Sequence, residues 1–133
     1  MRITGKILLP AVLLLGWAVA QNKTIVLSDT PNYDRSRQQV FTGFVGEVKE
    51  YLCPVSGTVG SHIAVRGVTE TVEVHMAPAA FMKENGMVIK QGEKVEITGV
   101  KVTFNGKPAM LAKSVSVRNE VFYFRDDKGR PLW

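Results

Sequence analysis

One cysteine and two histidines are all that 133 residues hold of the side chains that most often carry redox or metal chemistry. A single cysteine excludes an internal disulfide and any Cys-x-x-Cys pair, so neither a disulfide-stapled scaffold nor a c-type haem attachment fits the chain. There is no Ser-His-Asp spacing and no glycine-rich phosphate loop either. His62 with Cys53 would be a thin basis for nucleophilic catalysis, so no catalytic residue is assigned and an enzyme is not expected. Apolar runs are short, the longest lying within the first twenty residues and broken by Pro10. It falls below the roughly 20 residues that span a bilayer, so no stable membrane span is expected.

What the N-terminus does contain is the three-zone pattern of an export signal. Arg2 and Lys6 give the positive start, Ile7 to Ala18 the apolar stretch, and Ala18-Val19-Ala20 the small-residue cleavage site. Residues 1–20 are therefore expected to be a signal peptide, with Gln21 as the mature start and a periplasmic or secreted destination. No cysteine follows the cut to accept a lipid. The formal net charge is +5, and two of the 17 basic residues lie in the signal, which leaves a mild basic excess of dispersed side chains. That balance reads as a solvated surface rather than a nucleic-acid footprint. The remaining 113 residues suit one compact domain.

Residues 21–38 mix Asn, Lys, Ser, Asp, Pro and Arg around one short apolar run, Ile25-Val26-Leu27, and read as a flexible arm. The domain proper is expected over 39–133. Phe41 to Leu52 reads as a long first strand with Gly43 and Gly46 as places for a bulge. Cys53 to Ser61, with Pro54, Gly57 and Gly60, reads as a loop over one end of the fold. A turn at Gly67-Val68 would join the next two strands, setting Ile63 opposite Val72, with Val65 and Val74 on the same face. The other face would carry His62, Ala64 and Arg66 against Glu73, Thr71 and Thr69, with His75 next along.

Pro78 to Asn85 has proline at the first turn, helix formers after it and Asn85-Gly86 to stop it, which predicts a short helix. Lys94 to Phe104 follows as a strand whose apolar phase changes at Gly99, implying a bulge. Asn105-Gly106 is the strongest local signal, a tight hairpin turn pairing Val102 with Ala109 and Val100 with Leu111. A second turn at Asn119-Glu120 would set Val117 against Phe122 and Val115 against Phe124. Asp127-Lys128-Gly129 reverses the chain again before Trp133. Three strands, a short helix and two strands is the order of an OB-type barrel, so the fold class expected is all-β with one short helix: a five-stranded OB-type barrel with an added C-terminal hairpin.

The run Thr71-Val72-Glu73-Val74-His75-Met76-Ala77-Pro78, the Phe81 helix, Val95-Glu96-Ile97-Thr98-Gly99, Asn105-Gly106-Lys107-Pro108-Ala109 and the close from Arg125 to Trp133 carry a family likeness. Over about residues 41–133 the chain resembles the C-terminal domain of the magnetosome proteins MamS and MamX and, more loosely, the periplasmic bacterial OB-fold family. The resemblance implies an exported OB-type domain without an assigned reaction. It does not carry over haem attachment, since the Cys-x-x-Cys-His motif is missing, and no cofactor is assigned.

Three functions remain. The leading expectation is a non-catalytic binding or assembly module of the cell envelope with a protein partner, its ligand surface formed by His62, Arg66, Thr71, Glu73 and His75 with the loop from Cys53 to Ser61. The second is a transition-metal site at His62, Glu73 and His75, to which Met76 or Cys53 adds a soft ligand if the loop folds over. The plain alternative is two solvated surface histidines and a cysteine buried as a small apolar residue; an intermolecular disulfide at Cys53 stays open too. The third is an oligonucleotide-binding domain, which needs aromatics interleaved with basic residues on one face. Tyr51, Phe122, Tyr123 and Phe124 are available, but Phe122 and Phe124 read as core, so nucleic acid is disfavoured.

Overall fold

The computed structural model describes residues 32–53 and 57–133. The expected signal peptide, its cleavage site and the Ile25-Val26-Leu27 run lie outside the described residues. A 3₁₀ turn at Arg35–Arg37 leads into β1 (Gln38–Leu52), β2 (Val59–Arg66), β3 (Thr71–Pro78), α1 (Ala79–Glu84), β4 (Lys94–Phe104), β5 (Lys107–Val117) and β6 (Glu120–Tyr123). β2 therefore takes in Val59 to Ser61, which the sequence assigns to the preceding loop. Those residues are drawn into the ladder because β1 runs on to Leu52 and pairs with them, Tyr51 with Gly60 and Leu52 with Val59.

The strands lie in the order β3-β2-β1-β4-β5-β6, and a short parallel pairing of β3 with β5 closes the first five into a ring. This is the OB-type arrangement expected, with β6 added outside the closure. Long strands need bulges to curve this far. The register shifts between Val45 and Glu47 in β1 and between Thr98 and Gly99 in β4, at two glycines read as bend sites. At Gly99 the reason is steric, because a Cβ there would sit 2.2 Å from the Leu111 carbonyl oxygen of the neighbouring strand.

Alternation along the strands sends one set of apolar side chains inward. Ile63, Val65, Val72, Val74, Val95, Ile97, Met110, Val115 and Phe124 form a shared cluster at 0–1% exposure, each such side chain contributing roughly 1.5–3 kcal/mol when fully buried. Phe122 joins Phe124 there, which removes both from any stacking surface. α1 follows directly on Pro78, its N-cap, buries Met82 in the same cluster and stops where the Asn85 side chain donates to the Phe81 carbonyl at 2.8 Å.

Two hairpin registers differ from the sequence reading, each by two residues. In β2–β3 the observed pairs are Ile63 with Val74 and Val65 with Val72, because the loop is four residues long, Gly67 to Glu70, closed by the Gly67 N–H donating to the Glu70 carbonyl at 2.8 Å. In β5–β6 the turn residues are Arg118 and Asn119, both at positive φ, and Val117 pairs with Glu120 and Val115 with Phe122. A slip of two keeps every side chain on its face, so the buried sets are those expected although the partners are not. At Asn105-Gly106 the expected pairs, Val102 with Ala109 and Val100 with Leu111, are the observed ones.

A candidate metal centre on the outer face of the barrel

The corrected β2–β3 register changes the outward face. His62 stands opposite His75, not Glu73, while Glu73 pairs with Ala64. Nor is this face solvated at that end, as the sequence reading had it: His62 is 1% and His75 7% exposed. What covers them comes from other elements. The Tyr51 ring of β1 stacks on His62 at 4.1 Å and 13°, His62 meets His75 edge-on at 4.5 Å, and Phe104 from β4 meets His75 at 5.7 Å. Leu111 of β5, paired with His75 through the closing parallel contact, is buried beside them.

Cys53, at the end of β1, completes the group. Its Sγ lies 3.5 Å from His75 Nδ1, and one ligand atom from each of Cys53, His62 and His75 falls within 4.8 Å of the others. All three residues are buried. The close approach depends on Gly60, where a Cβ would meet Cys53 Cβ at 2.9 Å and His62 Cε1 at 3.0 Å. His62 Nδ1 is buried without a hydrogen-bond partner, an uncommon and costly arrangement for a native imidazole. Beside the cluster is a cavity of ≈ 20 Å³ lined by Cys53, His62, His75, Met76, Leu111 and Arg125, among others. That space suits one water-sized occupant.

Glu73 stands next to this group rather than in it. Its carboxylate accepts from the Tyr51 hydroxyl and from Lys49 Nζ, the latter at 3.1 Å, and its Oε2 lies 3.7 Å from His75 Nε2. A carboxylate on the Nε2 side favours the tautomer protonated there, which leaves the Nδ1 lone pair directed to Cys53. Burial pushes the His62 imidazole down to about 4, with the neighbouring His75 adding to the effect, and burial lowers His75 as well. Burial alone would raise Glu73, but the hydrogen bonds from Tyr51 and Lys49 outweigh it and hold the carboxyl below its usual range. Burial, then the bond to Glu73, holds the Tyr51 phenol well above its usual range. At neutral pH both imidazoles of the site are thus neutral.

Arg66 and Thr71 fall at the opposite, exposed end of the hairpin, remote from Cys53 in the ladder. Thr71 shares with Glu73, His75, Lys49, Tyr51 and Lys107 a groove of ≈ 590 Å³ across the β2–β3 face, and Arg66 is not among its lining residues. The sequence reading missed Lys49, Phe104 and Arg125 as site residues. It weighed Tyr51 only as a stacking platform for bases.

The molecule is thus a small, mostly β module whose sheet closes in an OB-type ring, with a buried Cys-His-His cluster on its outer face. The chain belongs to the MamS/MamX magnetosome protein family, whose pattern it matches over residues 37–122. No curated protein matches it. Among solved structures it is similar to the mitochondrial single-stranded DNA binding protein Rim1 of S. cerevisiae, in one crystal form at 11% identity and TM-score 0.45 over 61% of this chain and 92% of that one. A second form aligns at 13% identity and TM-score 0.40 over 65% and 97%. Among the described residues no helix is long and apolar enough to cross a membrane.

Proposed function

We propose that this domain is a non-catalytic, exported binding module of the cell envelope whose ligand is a transition-metal ion held by Cys53, His62 and His75. The observation that carries the reading is the convergence of three buried residues, one ligand atom from each lying within 4.8 Å of the others; the His62 ring also carries a buried Nδ1 without a hydrogen-bond partner. Nitrogen and sulfur donors suit zinc, copper or iron rather than calcium or magnesium. Export rests on the charged, apolar and Ala-x-Ala zones of residues 1–20. Glu73, anchored by Tyr51 and Lys49, acts in this reading as the group that orients His75.

A protein partner in the envelope is the second reading, favoured by the groove that runs past Glu73 and His75 along the β2–β3 face, where OB-type barrels commonly bind. Oligonucleotide binding has less support, since Tyr51 is stacked on His62 and two further aromatics lie in the core.

The test is metal analysis and calorimetric titration of the mature protein with zinc(II), copper(I) and iron(II), repeated on Cys53→Ala and His75→Ala. One ion per chain is expected for the wild type, and at least roughly a tenfold weaker affinity for each variant, with circular dichroism unchanged for Cys53→Ala. A wild type that takes up no metal, or a Cys53→Ala variant that binds as tightly, would overturn the proposal and leave the envelope partner as the better reading.

A further inference from the structure

Resting on the metal reading, we infer that the site is selective for copper(I) over both copper(II) and zinc(II). Three features of the geometry point this way. The first is donor type and number: the cluster offers one sulfur and two imidazoles, and Met76 is among the residues that line the cavity beside it. Thiolate and thioether donors favour copper(I). Zinc(II) in a closed protein site takes four ligands, and a fourth hard donor is missing because the Glu73 carboxylate is held by Tyr51 and Lys49.

The second feature is space. The space against the donors is small, ≈ 20 Å³, which suits a compact ion of low coordination number better than one that brings a full set of water ligands. The third is charge. As the ion binds, the Cys53 thiol releases its proton to solvent and a sulfur–metal bond forms, with no change in oxidation state. Copper(I) with one thiolate and two neutral imidazoles is then electrically neutral, whereas a divalent ion leaves a net positive charge in a buried site. That surplus is unfavourable in low dielectric, and here Arg125 is among the residues that line the cavity, its Nε buried without a hydrogen-bond partner. Glu73 cannot neutralise it, since its charge is already opposed by Lys49 at 3.1 Å.

The experiment uses the mature protein loaded anaerobically with copper(I) and measures two quantities. Chelator competition gives its affinity against zinc(II), and voltammetry gives the reduction potential of the bound copper. Copper(I) is expected to bind more tightly than copper(II) by at least roughly 100-fold, read as a potential about 120 mV or more above that of the aqueous copper couple, and zinc(II) should fail to displace it at equal concentration. A smaller upward shift, or displacement by equimolar zinc(II), overturns the copper(I) inference while the metal site itself stands. Failure to bind any metal removes both.

Discussion

The two ends of the β2–β3 hairpin carry side chains of similar polarity on the same outward face, yet they end in opposite environments. At the turn end Arg66 and Thr71 are exposed. At the other end His62 and His75 are as buried as the core, beneath Tyr51, Phe104 and Leu111. Nothing in the hairpin distinguishes the two ends; the covering does. β1 runs on to Leu52, paired with the first residue of β2, and brings Tyr51 and Cys53 over the histidines, while ring closure delivers β5 and the end of β4 from the other side. A polar stripe on a strand becomes a ligand set only where other strands remove it from water and hold its donors at fixed distances.

The comparison can be broken most severely at the covering strands. Gly99→Ala would drive a methyl group into the Leu111 carbonyl, 2.2 Å away, and should cost about 3 kcal/mol, measured by urea unfolding. It should also loosen the His75 end, which Leu111 packs. A stability change within 0.5 kcal/mol of wild type, roughly the scatter of surface substitutions, would show that the close β4–β5 approach at Gly99 does not matter.

Acid sharpens the same contrast. His62 has a folded pKa of about 4, below its ordinary value near 6.5, so the unfolded chain binds the proton first. Stability is full above roughly pH 6.5 and is lost progressively as pH falls toward 4, by an amount on the order of 2–3 kcal/mol for metal-free protein. Denaturation across this window should flatten for His62→Gln, and an unchanged slope would contradict the buried, neutral assignment.

Gly60→Ala probes the site with less damage to the fold. The new methyl meets Cys53 Cβ and His62 Cε1 at 2.9 and 3.0 Å, so a loss of about 1–2 kcal/mol is expected with roughly a tenfold weaker metal affinity, both read by titration and melting. Unaltered affinity would mean that the Cys53–His62 approach is not what sets binding. The smallest effect belongs to the open end: Arg66→Ala with Thr71→Ala should change stability by less than about 0.5 kcal/mol and metal affinity not at all.

Much of the ring was legible along the chain because its signals are local. Asn105-Gly106 specifies its turn through two residues that accept positive φ, and that hairpin registers as expected. Where the turn is a four-residue loop at Gly67–Glu70, or sits one position earlier at Arg118-Asn119, the register slipped by two. Alternation has a period of two, so it cannot distinguish registers two apart. That ambiguity left the core list intact and misplaced the site, since pairing His62 with Glu73 instead of His75 is a matter of which residue lies directly across.

By itself, then, the sequence determined the inward and outward sets of each strand, the bulge in β4, the tight Asn105-Gly106 turn and the strand order that folds into an OB-type ring. Each follows from side-chain period or from backbone preferences of one or two residues. Only the tertiary structure decided that the outward His62 and His75 lie in a buried site with Cys53, that Glu73 is engaged by Tyr51 and Lys49, and that Arg125 lines the cavity beside it. Those facts depend on side chains dozens of positions apart meeting over one patch of sheet, and the distance between two strands in space is not written in the spacing along either of them.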